Sequence, residues 1–152
     1  MSIEPIPVPE LPHPWITTIR MRKHTTVLLD VRRPADCSVT VELERCASGR
    51  LREAYPVSTH DIEARITGRI PQALLVELLA SLVSALEKAD PQCRKIVFAT
   101  VVGDINAPAT AEAAGFRYVV DVDLPDAEVS LFVAEPNWVT AVDMDLDRVP
   151  GT

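Results

Sequence analysis

The sequence is poor in the residues that build the commonest small-protein sites. Its three cysteines, Cys37, Cys46 and Cys93, are an odd number without C-x-x-C spacing. That disfavours both a disulfide framework and a thiolate zinc site, and leaves reduced, buried thiols. The three histidines, His13, His24 and His60, are scattered, with none at H-x-x-x-H spacing, so no metal is expected. Basic charge is also scarce: 15 Lys and Arg stand against 22 Asp and Glu, a net charge of -7. Non-specific nucleic-acid affinity needs a surplus of cations that releases counterions, so no nucleic-acid partner is expected. No apolar run reaches the roughly 18 residues that span a bilayer, and the Pro-rich start lacks the basic region and apolar core of a secretion signal. A soluble cytoplasmic protein with no membrane partner is the expectation.

What is present fits one globular domain. A chain of 152 residues, 47% hydrophobic and 24% charged, buries roughly 70% of the surface that its unfolded form exposes. Residues 1–14 carry Pro5, Pro7, Pro9, Pro12 and Pro14, which fix φ and remove amide donors, so an extended arm is expected there. A single domain over 15–140 follows, and 141–152, with Asp143, Asp145 and Asp147, reads as an acidic tail or a last edge strand.

Within the domain, apolar residues first recur with a period of two. Strands are expected at 15–21, 25–31 and 38–43, the last alternating as Val39, Val41 and Leu43. Another is expected near 61–66, and the four together suggest an antiparallel meander. From Pro71 the period lengthens to about 3.6, with Leu74, Leu75, Leu78, Leu79, Leu82, Val83 and Leu86 in one stripe ended by Asp90 and Pro91. That is a helix which must bury one side on a sheet. A buried strand at 94–102 follows, then an alanine-rich helix over 104–114 stopped at Gly115, and a hairpin of 116–122 and 128–133 turning through Leu124, Pro125 and Asp126.

The order strand, loop, long helix, strand, short helix, hairpin from about Asp61 to Glu135 resembles the cofactor half of the GCN5-related N-acetyltransferases (GNAT). Asp104, Ala107, Glu112 and Gly115-Phe116 follow the spacing of that family's Asn, Ala, Glu and Gly-Phe letters. The loop Ile66-Thr67-Gly68-Arg69-Ile70-Pro71-Gln72 stands where the family cradles a pyrophosphate on backbone amides at a helix N-terminus. The resemblance implies an α/β (α+β) fold with a mixed, mostly antiparallel sheet flanked by a long and a short helix. It also implies acetyl-CoA as acyl donor, held by Ile66, Gly68, Arg69, Gln72 and Asp104, and a small amine as acceptor.

The chain departs from the family at several points. Arg69 and Pro71 replace loop glycines, Asp104 stands for Asn, and Ala111 stands where a tyrosine often protonates the leaving thiolate. Tyr55 and Tyr118 are the only tyrosines. The short link Met21-Arg22-Lys23-His24 leaves no room for the two helices that usually shape the acceptor pocket. Glu63 and His60 are the expected bases by position, with Asp61 a weaker choice. Two functions follow: a divergent N-acetyltransferase for a small amine, or a degenerate binding or assembly module on the same fold, with a homodimer compatible with either.

Overall fold

The structure is a computed structural model that describes residues 3–135; the expected acidic tail and Trp138 lie outside the described residues. Seven strands form one sheet: β1 (Ile16–Arg22), β2 (Thr26–Arg33), β3 (Cys37–Arg45), β4 (Ile62–Thr67), β5 (Ile96–Val101), β6 (Arg117–Leu124) and β7 (Ala127–Ala134). Their order is β1-β2-β3-β4-β5-β7-β6. Every neighbouring pair is antiparallel except β4 and β5, which α1 (Gln72–Ala89) joins as a parallel pair. The second helix, α2 (Ala107–Ala113), links β5 to the closing hairpin. The expected meander, long helix and hairpin are all present, and the α+β class stands. Only the residues 23–25 separate β1 from β2, so no helix enters there.

The alternation of each strand sorts side chains onto two faces. On one, Val27, Leu29, Val31, Val41, Leu43, Ile62, Ala64 and Ile96 meet Leu78, Leu79, Leu82 and Leu86 of α1 in the main core. Those four leucines are at most 1% exposed, and each contributes roughly 2 kcal/mol by leaving water. On the other face, Val97, Leu131 and Val133 are covered by the β3–β4 connection through Cys46 and Leu51. Cys46 and Cys93 are free and buried. Burial and then the Asp61 charge raise the pKa of both, that of Cys93 to about 12, so both thiols stay protonated and unreactive.

The proline-rich arm, expected as an extended segment, is packed onto the domain. Ile6 is 1% exposed in the core, Val8 and Leu11 pack beside it, and the Ile6 amide donates to the His24 carbonyl at 2.8 Å. Proline removes amide donors but keeps its carbonyl. The fully buried Arg45 uses carbonyls of the arm, donating to Glu4 O at 3.1 Å and Pro5 O at 2.8 Å. The arm is thereby a strap of the fold.

Candidate active site

The parallel pair at the centre of the sheet comes apart. Its register holds at Ile62–Ile96, Glu63–Val97 and Ala64–Phe98 and stops there, although β4 runs on to Thr67 and β5 to Val101. Each strand stays paired on its outer side: β4 with β3 as far as Thr67–Thr40, β5 with β7 as far as Val101–Val129. Backbone groups along the inner edges of 65–67 and 99–101 therefore face a gap, and buried backbone polar groups need a partner from water or ligand.

A cavity of about 550 Å³ occupies this gap, within the range that holds a small ligand. Ile66, Phe98, Thr100, Thr110 and Leu75 line it from the helix side, and Arg50, Arg65, Thr67, Ala99 and Val101 from the opposite side. The cleft thus passes through the sheet, with one mouth beside the helices and the other among charged side chains.

At the helix mouth the loop 68–71 turns back over the sheet. Gly68 has φ +126°, and a Cβ there would lie 3.2 to 3.3 Å from Val39 and the Ser38 carbonyl, so glycine is required. Pro71 is the N-cap of α1, with φ -58° and ψ 145° and no side-chain cap; its carbonyl accepts the Leu75 amide at 2.9 Å. The sequence placed Pro71 inside the first turn, where its missing amide would subtract from an anion site. One position earlier it costs nothing, and the amides of Gln72, Ala73 and Leu74 are the helix's unpaired first-turn donors. Gln72 lines the cleft, while Arg69 is exposed on the loop.

The remaining expected residues divide sharply. Asp104 lines the cleft, but its Oδ1 accepts the amides of Asn106 and Ala107 at 3.1 and 3.2 Å, so it also caps the entry to α2. Glu63 is 1% exposed and carries two guanidiniums: Arg50 reaches it at 2.7 Å and Arg65 at 2.8 Å. Both of its oxygens are engaged, which is unlike a base awaiting a proton. His60 precedes β4 at the end away from the loop, beyond a strand that spans about 16 Å from Ile62 to Thr67, and its Nδ1 lies 3.1 Å from Asp90. The structure does not bring His60 to the cleft, and Asp61 closes a turn by accepting from the Ser58 amide and hydroxyl.

Sequence reasoning missed Arg50 and Arg65. Burial alone would lower the Arg65 pKa, yet hydrogen bonds and charge from Glu42, Glu63 and Glu44 raise it above the ordinary arginine value, so it is a permanent cation. The available signal was the alternation of Glu63 and Arg65 with Ile62, Ala64 and Ile66, which marks a strand with one charged face. Tyr55 packs under Lys95 and Tyr118 against Phe132; neither lines the cleft. Ala111 is fully buried.

This sheet, with a central parallel pair splayed beside a helix N-terminus, matches solved structures. An uncharacterized protein from Bacillus halodurans superposes with a TM-score of 0.68 at 19% identity over 76% of this chain and 61% of that one. The aminoglycoside acetyltransferase AAC(6')-Ib, solved with an aminoglycoside and acetyl-CoA, gives 0.65 at 16% identity over 76% and 68% of the two chains. RimJ of Mycobacterium smegmatis, solved in complex with CoA-disulfide, gives 0.54 at 9% identity over 76% and 56%. The chain has the GNAT fold. It spans only about three fifths of the Bacillus halodurans and RimJ chains, and at these identities the likeness is one of GNAT architecture. No protein-family model and no curated protein sequence matches it.

Proposed function

We propose that the chain is an acyl-CoA-dependent N-acyltransferase that moves an acetyl group from acetyl-CoA to a small amine. The observation that carries this reading is the placement of the splay: the unpaired inner edges of β4 and β5 open beside the first-turn amides of α1. A pantetheine amide chain would complete the broken ladder, and a pyrophosphate would sit on those amides with help from Arg69. That the neighbours AAC(6')-Ib and RimJ were solved with acetyl-CoA or a CoA disulfide supports the same reading.

In this reading the thioester lies in the gap, and an amide near Ile66 donates to its carbonyl oxygen as charge develops there. The acceptor enters from the charged mouth as a neutral amine. Its lone pair attacks the carbonyl carbon, the C–N bond forms, the C–S bond breaks, and the amine's proton leaves by water while the thiolate gains one. Glu63 and His60 keep structural tasks in this scheme: Glu63 orients two arginines, and His60 helps hold Asp90.

A second reading, a GNAT-fold module that binds without transferring, draws on the buried Ala111, which offers no phenol to the leaving thiolate. Thermal unfolding with and without acetyl-CoA tests the site first. Ligand at 100 times its dissociation constant adds about 2.7 kcal/mol, a rise of roughly 5 to 10 °C for a domain of this size. That rise, reduced by Arg69→Glu, supports the site, and no shift at millimolar acetyl-CoA rejects it. CoA release with an amine then separates the transferase from the module.

A further inference from the structure

The charged mouth has a polarity that the aminoglycoside-binding neighbour does not suggest. Two guanidiniums, Arg50 and Arg65, line the cleft, while Glu63 and Glu42, which hold them, do not; the carboxylate that does line it, Asp104, spends Oδ1 on the Asn106 and Ala107 amides, and Glu44, which also holds Arg65, lies on the wall of a second cavity. Arg65 is fully committed, to Glu63 at 2.8 Å, Glu42 at 3.0 Å and Glu44 at 3.1 Å. Arg50 is different. It gives Nε and Nη2 to the two oxygens of Glu63, at 2.7 to 3.3 Å. That fork leaves Nη1 outside it, on a side chain 32% exposed. A bidentate hold on a buried carboxylate fixes the plane of a guanidinium, so its outer edge is presented in one direction.

Arg50 also belongs to a second cavity of about 520 Å³, built where the β3–β4 connection meets the β6–β7 turn; Ser48, Arg52, Glu53 and Asp123 lie on its wall. Arg50 is the residue that the two cavities share. A molecule reaching the gap from the charged side passes this guanidinium. An ammonium halted beside two guanidiniums is disfavoured, whereas a carboxylate there gains a charge-assisted hydrogen bond.

We propose that Arg50 binds a carboxylate on the acceptor, so that the amine acylated in the cleft belongs to an amino acid or a similarly small carboxylated amine whose side chain extends into the second cavity. This rests on the acyltransferase reading. The carboxylate takes no part in bond making: it pairs with Arg50 while the amine beside it forms the amide, giving an N-acyl amino acid and free CoA thiol. Glu63 acts as a positioning residue behind Arg50.

The test uses the full chain in two independent measurements. Thermal unfolding with CoA alone reads the donor site in the wild type, Arg50→Leu and Arg50→Lys. CoA release from acetyl-CoA is then followed with matched acceptors that differ by a carboxylate: phenylalanine against phenethylamine, lysine against cadaverine. The expected result is an equal CoA shift in all three proteins and a wild-type preference for the amino acid of each pair. Arg50→Leu should lower kcat/KM for the amino acids roughly tenfold to a hundredfold, chiefly through KM, and should not lower it for the plain amines, from whose path a cation is removed, with Arg50→Lys recovering part. A CoA shift accompanied by equal or reversed preference, by no turnover of any amino acid, or by a preference unchanged in Arg50→Leu overturns the proposal and leaves donor binding standing. Transfer to plain amines from succinyl-CoA but not acetyl-CoA also overturns it, since the carboxylate would then belong to the acyl group. If Arg50→Leu does not fold, Arg50→Lys carries the comparison. Absence of any CoA shift in the wild type sinks both readings together.

Discussion

The two ends of the β4–α1 unit solve opposite problems with the same chemistry. At the sealed end, where β4 begins and α1 finishes, Arg45 is 1% exposed and donates to the carbonyls of Glu4, Pro5 and His60 while pairing with Asp90 at 2.9 Å. At the open end, where β4 finishes and α1 begins, the first-turn amides of the helix have no cap, and on the wall of the cleft that opens there Arg50, held by Glu63, keeps part of its guanidinium in solvent. A guanidinium with all three nitrogens engaged and its side chain out of water is a staple; one held on a single edge keeps donors for a ligand. The difference shows that residue type alone does not separate structural from functional arginines. The count of satisfied donors does.

The comparison breaks most visibly at Arg45. Arg45→Met leaves three carbonyls without their donor and Asp90 without its guanidinium, and urea unfolding should show a loss of about 3 to 5 kcal/mol. CoA affinity of the protein that remains folded should be unchanged, because nothing at the sealed end reaches the cleft. If stability falls by less than about 1 kcal/mol, the strap is not a staple.

Gly68→Ala probes the open end and should cost about 1 to 3 kcal/mol, since a side chain must adopt φ +126° against Val39. Here CoA binding should fall together with stability, measured by the same thermal shift. Loss of one without the other would separate the loop from the site.

A smaller effect concerns acid. Burial alone would raise the Asp90 pKa, but hydrogen bonds from His60 and Arg45 hold it below the ordinary aspartate value. The folded value being depressed, its stabilisation is complete above the unfolded value near pH 4 and is lost as the pH falls through the folded one. Asp90→Asn should therefore flatten the fall of stability below about pH 4 relative to the wild type, read from unfolding midpoints as the pH is lowered.

The smallest change has the opposite sign. Pro71→Asp supplies the N-cap that α1 lacks and should add about 1 kcal/mol of stability. Its carboxylate would occupy the same amides that the proposed pyrophosphate needs, so CoA affinity should drop. A variant both more stable and equally good at binding CoA would place the phosphate elsewhere.

Much of the architecture was legible because the signals are local. The leucine stripe from Leu74 to Leu86, the alternation of Val39, Val41 and Leu43, and the stop at Gly115, which adopts φ +97°, each depend on residues within a few positions of one another. The loop around Gly68 was legible for the same reason. The surroundings of the two expected bases were not: Glu63 and His60 lie near the Gly68 loop in sequence, yet a strand points successive side chains to opposite faces and carries its two ends far apart. The strap was also missed, since prolines read as extended chain say nothing about what accepts from Arg45 some 40 residues later.

By itself, then, the sequence determined the order and type of the elements and the place of the helix N-terminus, because periodicity and backbone conformation are properties of neighbouring residues. Only the tertiary structure decided which arginine is sealed and which is open, where β4 and β5 part, and which carboxylates are already spent. Those depend on partners 13 to 41 residues apart, brought together by strand pairing and core packing, and no local pattern of side chains encodes that distance.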